Sequence, residues 1–282
     1  MKKNGIITSS SQVSINAKVN NDTKEKTFFV VGIGASAGGL DAIEKLFINL
    51  NPSTGMAFII VSHLDPKHKS IMPELIQKYT KMELFQAEDG MEIKPNHVYV
   101  APANNEIGIT NGKIELISPI ESHGFRLPID FFFKSLAKDF GEHSIGIILS
   151  GMASDGTEGI KAIKNELGMV IAQEVNSAKF DGMPSSAINS GFVDLILTPE
   201  EMPSQLINYT ATKQTGLSPE QLSEEIFTNA LQIIYSTLLS QTGHDFSHYK
   251  INTIQRRLER RMALSHIGTI SQWFYRSFFL SR

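Results

Sequence analysis

The chain contains no cysteine, which excludes disulfides, thiolate zinc sites and cysteine nucleophiles together. It has no apolar run approaching the roughly 20 residues of a membrane-spanning helix. Its first 26 residues, polar and rich in Ser, Asn and Lys, lack the apolar stretch of a signal peptide. Nor is there an excess of charge: 26 basic residues stand against 29 acidic ones, a net charge of -3, so nucleic-acid binding has no electrostatic footprint. Internal repeats are absent. These absences lead to the expectation of a cytoplasmic protein with a disordered tail over 1–26, no membrane insertion and no nucleic-acid partner. A length of 282 residues leaves room for one large domain or two ordinary ones.

What is present centres on one turn. An apolar run over 27–31 leads into Gly32-Ile33-Gly34-Ala35-Ser36-Ala37-Gly38-Gly39, and then into a helical pattern carried by Leu40, Ile43, Leu46, Phe47 and Leu50. Two motifs overlap there. Gly34-Ala35-Ser36-Ala37-Gly38 fits the nucleophile elbow G-x-S-x-G, in which small neighbours permit a sharp turn that presents a serine hydroxyl at the rim of a sheet. Gly32 to Ala37 fits G-x-G-x-x-A, in which glycines let a pyrophosphate approach a helix N-terminus. Ser36 also reads simply as a residue that opens a helix.

Further along, short continuously apolar segments alternate with helical patterns through short loops. Strands are expected at 56–61, 145–149, 169–172 and 192–197, with shorter pieces at 83–87 and 97–101. Helices are expected at 70–79, 128–140, 157–167, 184–189 and 199–209. Strands covered on both faces and linked through helices make an α/β fold, a three-layer, doubly wound, mainly parallel sheet. The segment 107–117 alternates around Asn111-Gly112, a hairpin signal placed at an edge of that sheet. Thr210 to Gly216 has no periodicity, so 27–209 reads as one domain and 210–217 as a linker. Ser218-Pro219-Glu220-Gln221 then opens a helix running to about 240. A basic helix follows over 249–262, carrying Lys250, Arg256, Arg257, Arg260 and Arg261, so that 218–282 forms a small all-α segment.

A dinucleotide site wants an acidic residue about 20 to 30 positions beyond the glycines, at the end of the second strand, to hold ribose hydroxyls. Ser62-His63 stands there instead, with Asp65 slightly beyond. A serine nucleophile wants a base that titrates near neutrality, and histidine is that side chain. Ser36 ends the first strand, His63 the second, and Asp155 follows a later one, so a parallel sheet brings all three to one carboxyl rim. The arrangement permits Ser36 as nucleophile, His63 as base and Asp155 as the group that orients the imidazole. His68, His97, His123 and His143 fall in loops or at strand starts, and His244, His248 and His266 lie past the linker. Read one at a time, His63 as a turn histidine and Asp155 as a helix cap remain open. The backbone amide of Ala37, with that of Met152 as a second donor, is placed to receive an oxyanion. No cofactor and no metal is called for.

Taken together, Gly32 to Gly39, Ser62-His63-Leu64, Leu149-Ser150-Gly151-Met152-Ala153-Ser154-Asp155-Gly156 and Gly182-Met183-Pro184-Ser185-Ser186-Ala187 resemble the catalytic domain of the chemotaxis protein-glutamate methylesterases, with a weaker match at Arg126-Leu127-Pro128-Ile129-Asp130. The resemblance implies hydrolysis of glutamate γ-methyl esters on the cytoplasmic helices of a methyl-accepting chemotaxis receptor, with release of methanol and deamidation of glutamine at the same site. Ser36, His63 and Asp155 fall on the triad positions of that family. Two departures stand out: Ala37 replaces the threonine often found after the nucleophile, and, with only a short tail ahead of the first strand, control through the receiver domain many members carry is not expected. Past the linker, Asp245 to Lys250 and Thr253 to Met262 resemble the N-terminal helical domain of the receptor methyltransferases, as in hybrid esterase/methyltransferase proteins, without the part that binds S-adenosylmethionine. The basic helix is expected to dock acidic receptor helices through Lys250, Arg256, Arg257, Arg260 and Arg261. A dinucleotide-binding module and a non-catalytic chemosensory scaffold remain as alternatives.

Overall fold

The computed structural model of the protein describes residues 28–63, 71–103, 105–118, 127–214, 231–236, 239–240 and 242–264. The expected tail over 1–26, the start of the helix predicted at 218 and the aromatic-rich stretch beyond 264 lie outside the described residues.

Seven parallel strands form one sheet in the order β3-β4-β2-β1-β7-β8-β9. They are β1 (Val30–Ala35), β2 (Ala57–Ser62), β3 (Glu83–Gln86), β4 (His97–Val100), β7 (Ser144–Ile148), β8 (Met169–Gln173) and β9 (Leu195–Leu197). From central β1 the chain winds out to one edge through β2 and β4, then returns to build the other through β7, β8 and β9. The carboxyl end of β1 is therefore the point where the strand order reverses, the crevice in which open α/β sheets place their sites.

Side chains alternating along the strands feed two cores. Val31, Ile33 and Ala35 face α1 (Gly39–Ile48), α2 (Met72–Ile76) and α6 (Met202–Gln214). Val30 and its neighbours face α3 (Pro128–Phe140), α4 (Thr157–Asn165) and α5 (Gly182–Asn189). On that second face β1 carries Gly32 and Gly34. A Cβ on Gly32 would lie 2.7 Å from the Phe132 ring, and one on Gly34 would lie 2.5 Å from Ile129. The glycines that made a cofactor fingerprint plausible thus serve to let α3 lie against the central strand.

Three expectations need correction. The Asn111-Gly112 hairpin forms, as β5 (Glu106–Thr110) and β6 (Lys113–Ile117), with both turn residues at positive φ, but it joins no edge of the main sheet. It is a separate two-stranded sheet whose Ile107, Ile109 and Ile114 pack into the core beside α3. The carboxylate of Asp139 on α3 accepts the amides of Asn111 and Gly112 at 2.7 and 2.9 Å, which fixes its tip.

Second, α6 runs to Gln214, so the first half of the expected linker is helical; Thr210 is buried and its hydroxyl donates to the Leu206 carbonyl at 2.9 Å. Residues 231–236 and 239–240 are helical as expected, and α7 (Ile251–Leu264) is the basic helix.

The third correction concerns α7. Leu258 and Met262 are buried, and the helix lies against α6. That packing carries Arg260 onto the buried carboxylate of Asp194, which also meets Lys164 and accepts the Val170 amide. Arg260 is therefore consumed within the molecule rather than offered to an acidic partner, while Lys250, Arg256, Arg257 and Arg261 are exposed. Asp194 stands just before β9, on the amino-terminal edge of the sheet. Its pairing leaves the Arg260 Nε and the Tyr209 hydroxyl buried without hydrogen-bond partners among the described residues.

Candidate active site

Ser36 directly follows β1 and is held in place through its main chain. Its amide donates to the Ser150 carbonyl at 2.9 Å, and its carbonyl accepts the Gly39 amide at 2.8 Å. The turn closes through Gly38 at φ 73°, where a Cβ would lie 2.8 Å from the Ser150 hydroxyl. Glycine meets both demands, a left-handed backbone and an approach too close for a side chain. The positive end of the α1 macrodipole consequently points at this turn.

His63 directly follows β2, whose Ser62 pairs in register with Ala35 of β1, so the two side chains leave neighbouring strands side by side. Its Nδ1 lies 3.1 Å from the Ser36 hydroxyl oxygen, and its Nε2 lies 2.9 Å from Oδ2 of Asp155. Because a carboxylate only accepts, these partners place the ring proton on Nε2 and leave the Nδ1 lone pair for the serine hydroxyl. The His63 side chain is 35% exposed and that of Asp155 2%, so a substrate reaches the imidazole and not the carboxylate.

Asp155 lies in the loop before α4. Its Oδ2 also accepts the Ile129 amide at 3.0 Å, and its Oδ1 accepts the Asp130 amide at 2.9 Å. Both donors belong to the first turn of α3, a helix preceded by Leu127, which offers no side-chain cap. Asp155 thus satisfies helix amides that would otherwise lack partners, while those amides and the helix dipole stabilise its charge.

The amides of Ala37 and Met152, singled out from the sequence as oxyanion donors, have no hydrogen-bond acceptor among the described residues. By contrast the Ser36 amide is occupied by Ser150 and the Gly151 amide by the Phe180 carbonyl at 2.9 Å. Met152 precedes Ala153, whose φ of 63° is uncommon for a residue with a Cβ. The exposed side chains of Met152 and Phe180 give this part of the rim an apolar border.

Sequence reasoning passed over two residues that tie the rim together. Ser150, 1% exposed, donates its hydroxyl to the Ala37 carbonyl at 2.9 Å and accepts the Phe180 amide at 3.0 Å. Its own amide goes to the Gln173 side chain at 2.8 Å, and Gln173 in turn donates to the Ser177 carbonyl at 3.0 Å. The one signal available was a glutamine ending an apolar strand. Among the described residues, no group of three or more His, Asp or Glu side chains is arranged to hold a metal ion, and no helix is long and apolar enough to cross a membrane.

A family model described as CheB methylesterase matches residues 31–206, most of the chain and all of this site. The chain belongs to the CheB methylesterase family. Residues 229–276 match a second model, the CheR methyltransferase all-alpha domain. The protein-glutamate methylesterase/protein-glutamine glutaminase of Thermotoga maritima is 31% identical over 182 residues, covering 63% of this chain and 53% of that protein. Its namesake from Salmonella typhimurium is 32% identical over 184 residues, 63% of this chain and 52% of that one. A 104.1 kDa protein of Rhodobacter capsulatus is 31% identical over 223 residues, 72% of this chain and 23% of its own length. The chain thus spans about half the length of the curated methylesterases it matches. The crystal structure of the Thermotoga maritima CheB methylesterase catalytic domain superposes with a TM-score of 0.60 at 30% identity, covering 64% of this chain and 97% of that one. CheB-family membership and the parallel sheet are thus established together.

Proposed function

We propose that this CheB-family chain hydrolyses glutamate γ-methyl esters on the helices of a methyl-accepting chemoreceptor, releasing methanol, and deamidates glutamine at the same site. The observation that carries the reading is the continuous chain of contacts from the Ser36 hydroxyl through His63 to Asp155. Ser36 attacks the ester carbonyl while Nδ1 of His63 takes its proton. The imidazolium is held by Asp155 and returns the proton to the departing methoxide, and water repeats the sequence on the acyl-enzyme. The Ala37 and Met152 amides receive the charge that develops on the carbonyl oxygen. A primary amide passes through the same tetrahedral geometry with ammonia as leaving group, which is why one site serves both reactions.

In this reading the esterase unit spans 27–209, with α6 continuing to Gln214, and the helical unit begins near 218. Its basic face offers Lys250, Arg256, Arg257 and Arg261 to acidic helices. Ser36→Ala abolishes methanol release from a methylated receptor and labelling by a fluorophosphonate, with an unchanged melting temperature because a rim hydroxyl supports no packing. Methanol release that persisted in this variant would sink the assignment. A purely scaffolding chain would instead leave wild-type Ser36 unlabelled.

A further inference from the structure

Asp130 is a second buried carboxylate beside the site, 4% exposed, and the reaction as written does not use it. Among the described residues it faces no cation at hydrogen-bond distance. Its Oδ1 instead accepts the Gly159 amide at 2.6 Å, in the first turn of α4. Asp155, just before α4, accepts the first-turn amides of α3, the helix to which Asp130 belongs. The two helices therefore cap one another. Asp155 reaches across to α3 while Asp130 reaches across to α4, and the main chain from Asp155 to Gly159 closes the ring.

Such an exchange needs the two helix starts in near contact. Gly159 supplies the room: a Cβ there would lie 2.6 Å from the Phe133 Cβ and 3.1 Å from the Asp130 Cα. Burial first, and the nearby Asp155 charge second, push the Asp130 carboxyl above its ordinary range, against the pull of the Gly159 amide. An apolar residue would avoid that cost, and what a carboxylate adds at this place is a fixed hydrogen bond to α4.

Resting on the reading of Ser36, His63 and Asp155 as a triad, we propose that Asp130 is a positioning residue: by bridging α3 to α4 it sets the amides that hold the Asp155 carboxylate on Nε2 of His63. It touches neither substrate nor reacting atoms. Its effect reaches Ser36 through the tautomer and orientation of the imidazole.

The test uses the full chain with Asp130→Ala and Asp130→Asn, the latter keeping an oxygen for Gly159. Nitrogen-15 NMR of the imidazole gives the His63 tautomer, and the rate of Ser36 labelling by a fluorophosphonate gives its reactivity. Wild type is expected to hold the proton on Nε2. Asp130→Ala should populate both tautomers and label about tenfold to a hundredfold more slowly, the scale of a misplaced reacting group. Asp130→Asn should stay close to wild type in both readouts. A folded Asp130→Ala with the wild-type tautomer and rate overturns the proposal, as does an Asp130→Asn that loses both as fully as alanine. Should Asp130→Ala fail to fold, Asp130→Leu fills the volume without an acceptor and carries the same expectations. If wild-type Ser36 is never labelled, the hydrolase reading fails, and the tautomer still decides the role of Asp130.

Discussion

The imidazole of His63 meets Ser36 through Nδ1, the ring nitrogen nearer its own main chain, and Asp155 through Nε2. The short reach suits its position, because His63 and Ser36 leave adjacent strands at the same register. The serine in turn depends on Ser150, whose hydroxyl joins the nucleophile turn to the segment at Phe180. Ser150→Ala leaves the Phe180 amide and the Ala37 carbonyl without that partner inside the protein. Stability is expected to fall by about 1–3 kcal/mol, measured by urea unfolding, and fluorophosphonate labelling of Ser36 should slow. The meeting of Ser36, His63 and Asp155 was legible in the sequence because each combines a chemically distinctive side chain with a turn signal at a strand end. Ser150, Gln173 and the bridging role of Asp130 were not. Their work is done on main-chain atoms of distant segments, 113 positions away for Ser150 and Ala37, and a backbone carbonyl has no signature in a sequence.

At the scale of elements, the regular pieces follow from periodicity while their ends and partners do not. Asn111-Gly112 announced a hairpin correctly, but what it lies against is decided by α3, whose Asp139 grips the tip. Helix α6 outran its predicted end because residues beyond Tyr209 gain partners invisible in one dimension. Among them Lys213 reaches Glu142, at the turn before β7, at 3.2 Å. Burial alone would raise the Glu142 carboxyl, but the Lys213 charge and hydrogen bond, together with the Arg256 and His143 charges, outweigh it and hold the group below its ordinary value of 4.5. A carboxyl lowered in the folded state contributes stability above its unfolded value and loses it as pH falls through the folded one. Glu142→Gln is therefore expected to melt below wild type at neutral pH. The gap should narrow as pH drops below 4.5 and vanish once the wild-type carboxyl is protonated. Thermal melts across that range check both the sign and the window.

The molecule as a whole is organised by the direction of its strands. Every strand of the large sheet points the same way, so Ser36 and His63 emerge at one edge, while Asp194 and the Arg260 it holds lie at the other. The basic sequence of α7 was plain to read, but its attachment was not, since Arg260 finds its carboxylate 66 positions earlier, between two apolar residues. Arg260→Ala is expected to loosen α7 while sparing the sheet, because Lys164 still accompanies Asp194. Hydrogen exchange should accelerate across 251–264 with the strands unchanged, at a cost of about 1–3 kcal/mol for the hydrogen bond lost at a buried charge. Five or six strand residues at about 3.3 Å each separate the two edges, roughly 16–20 Å. A ligand seated over the serine and another resting on the exposed Arg256, Arg257 and Arg261 of α7 would therefore not exclude each other. Under the proposed reading the molecule would be bivalent, cutting at one pole while tethered by the opposite pole.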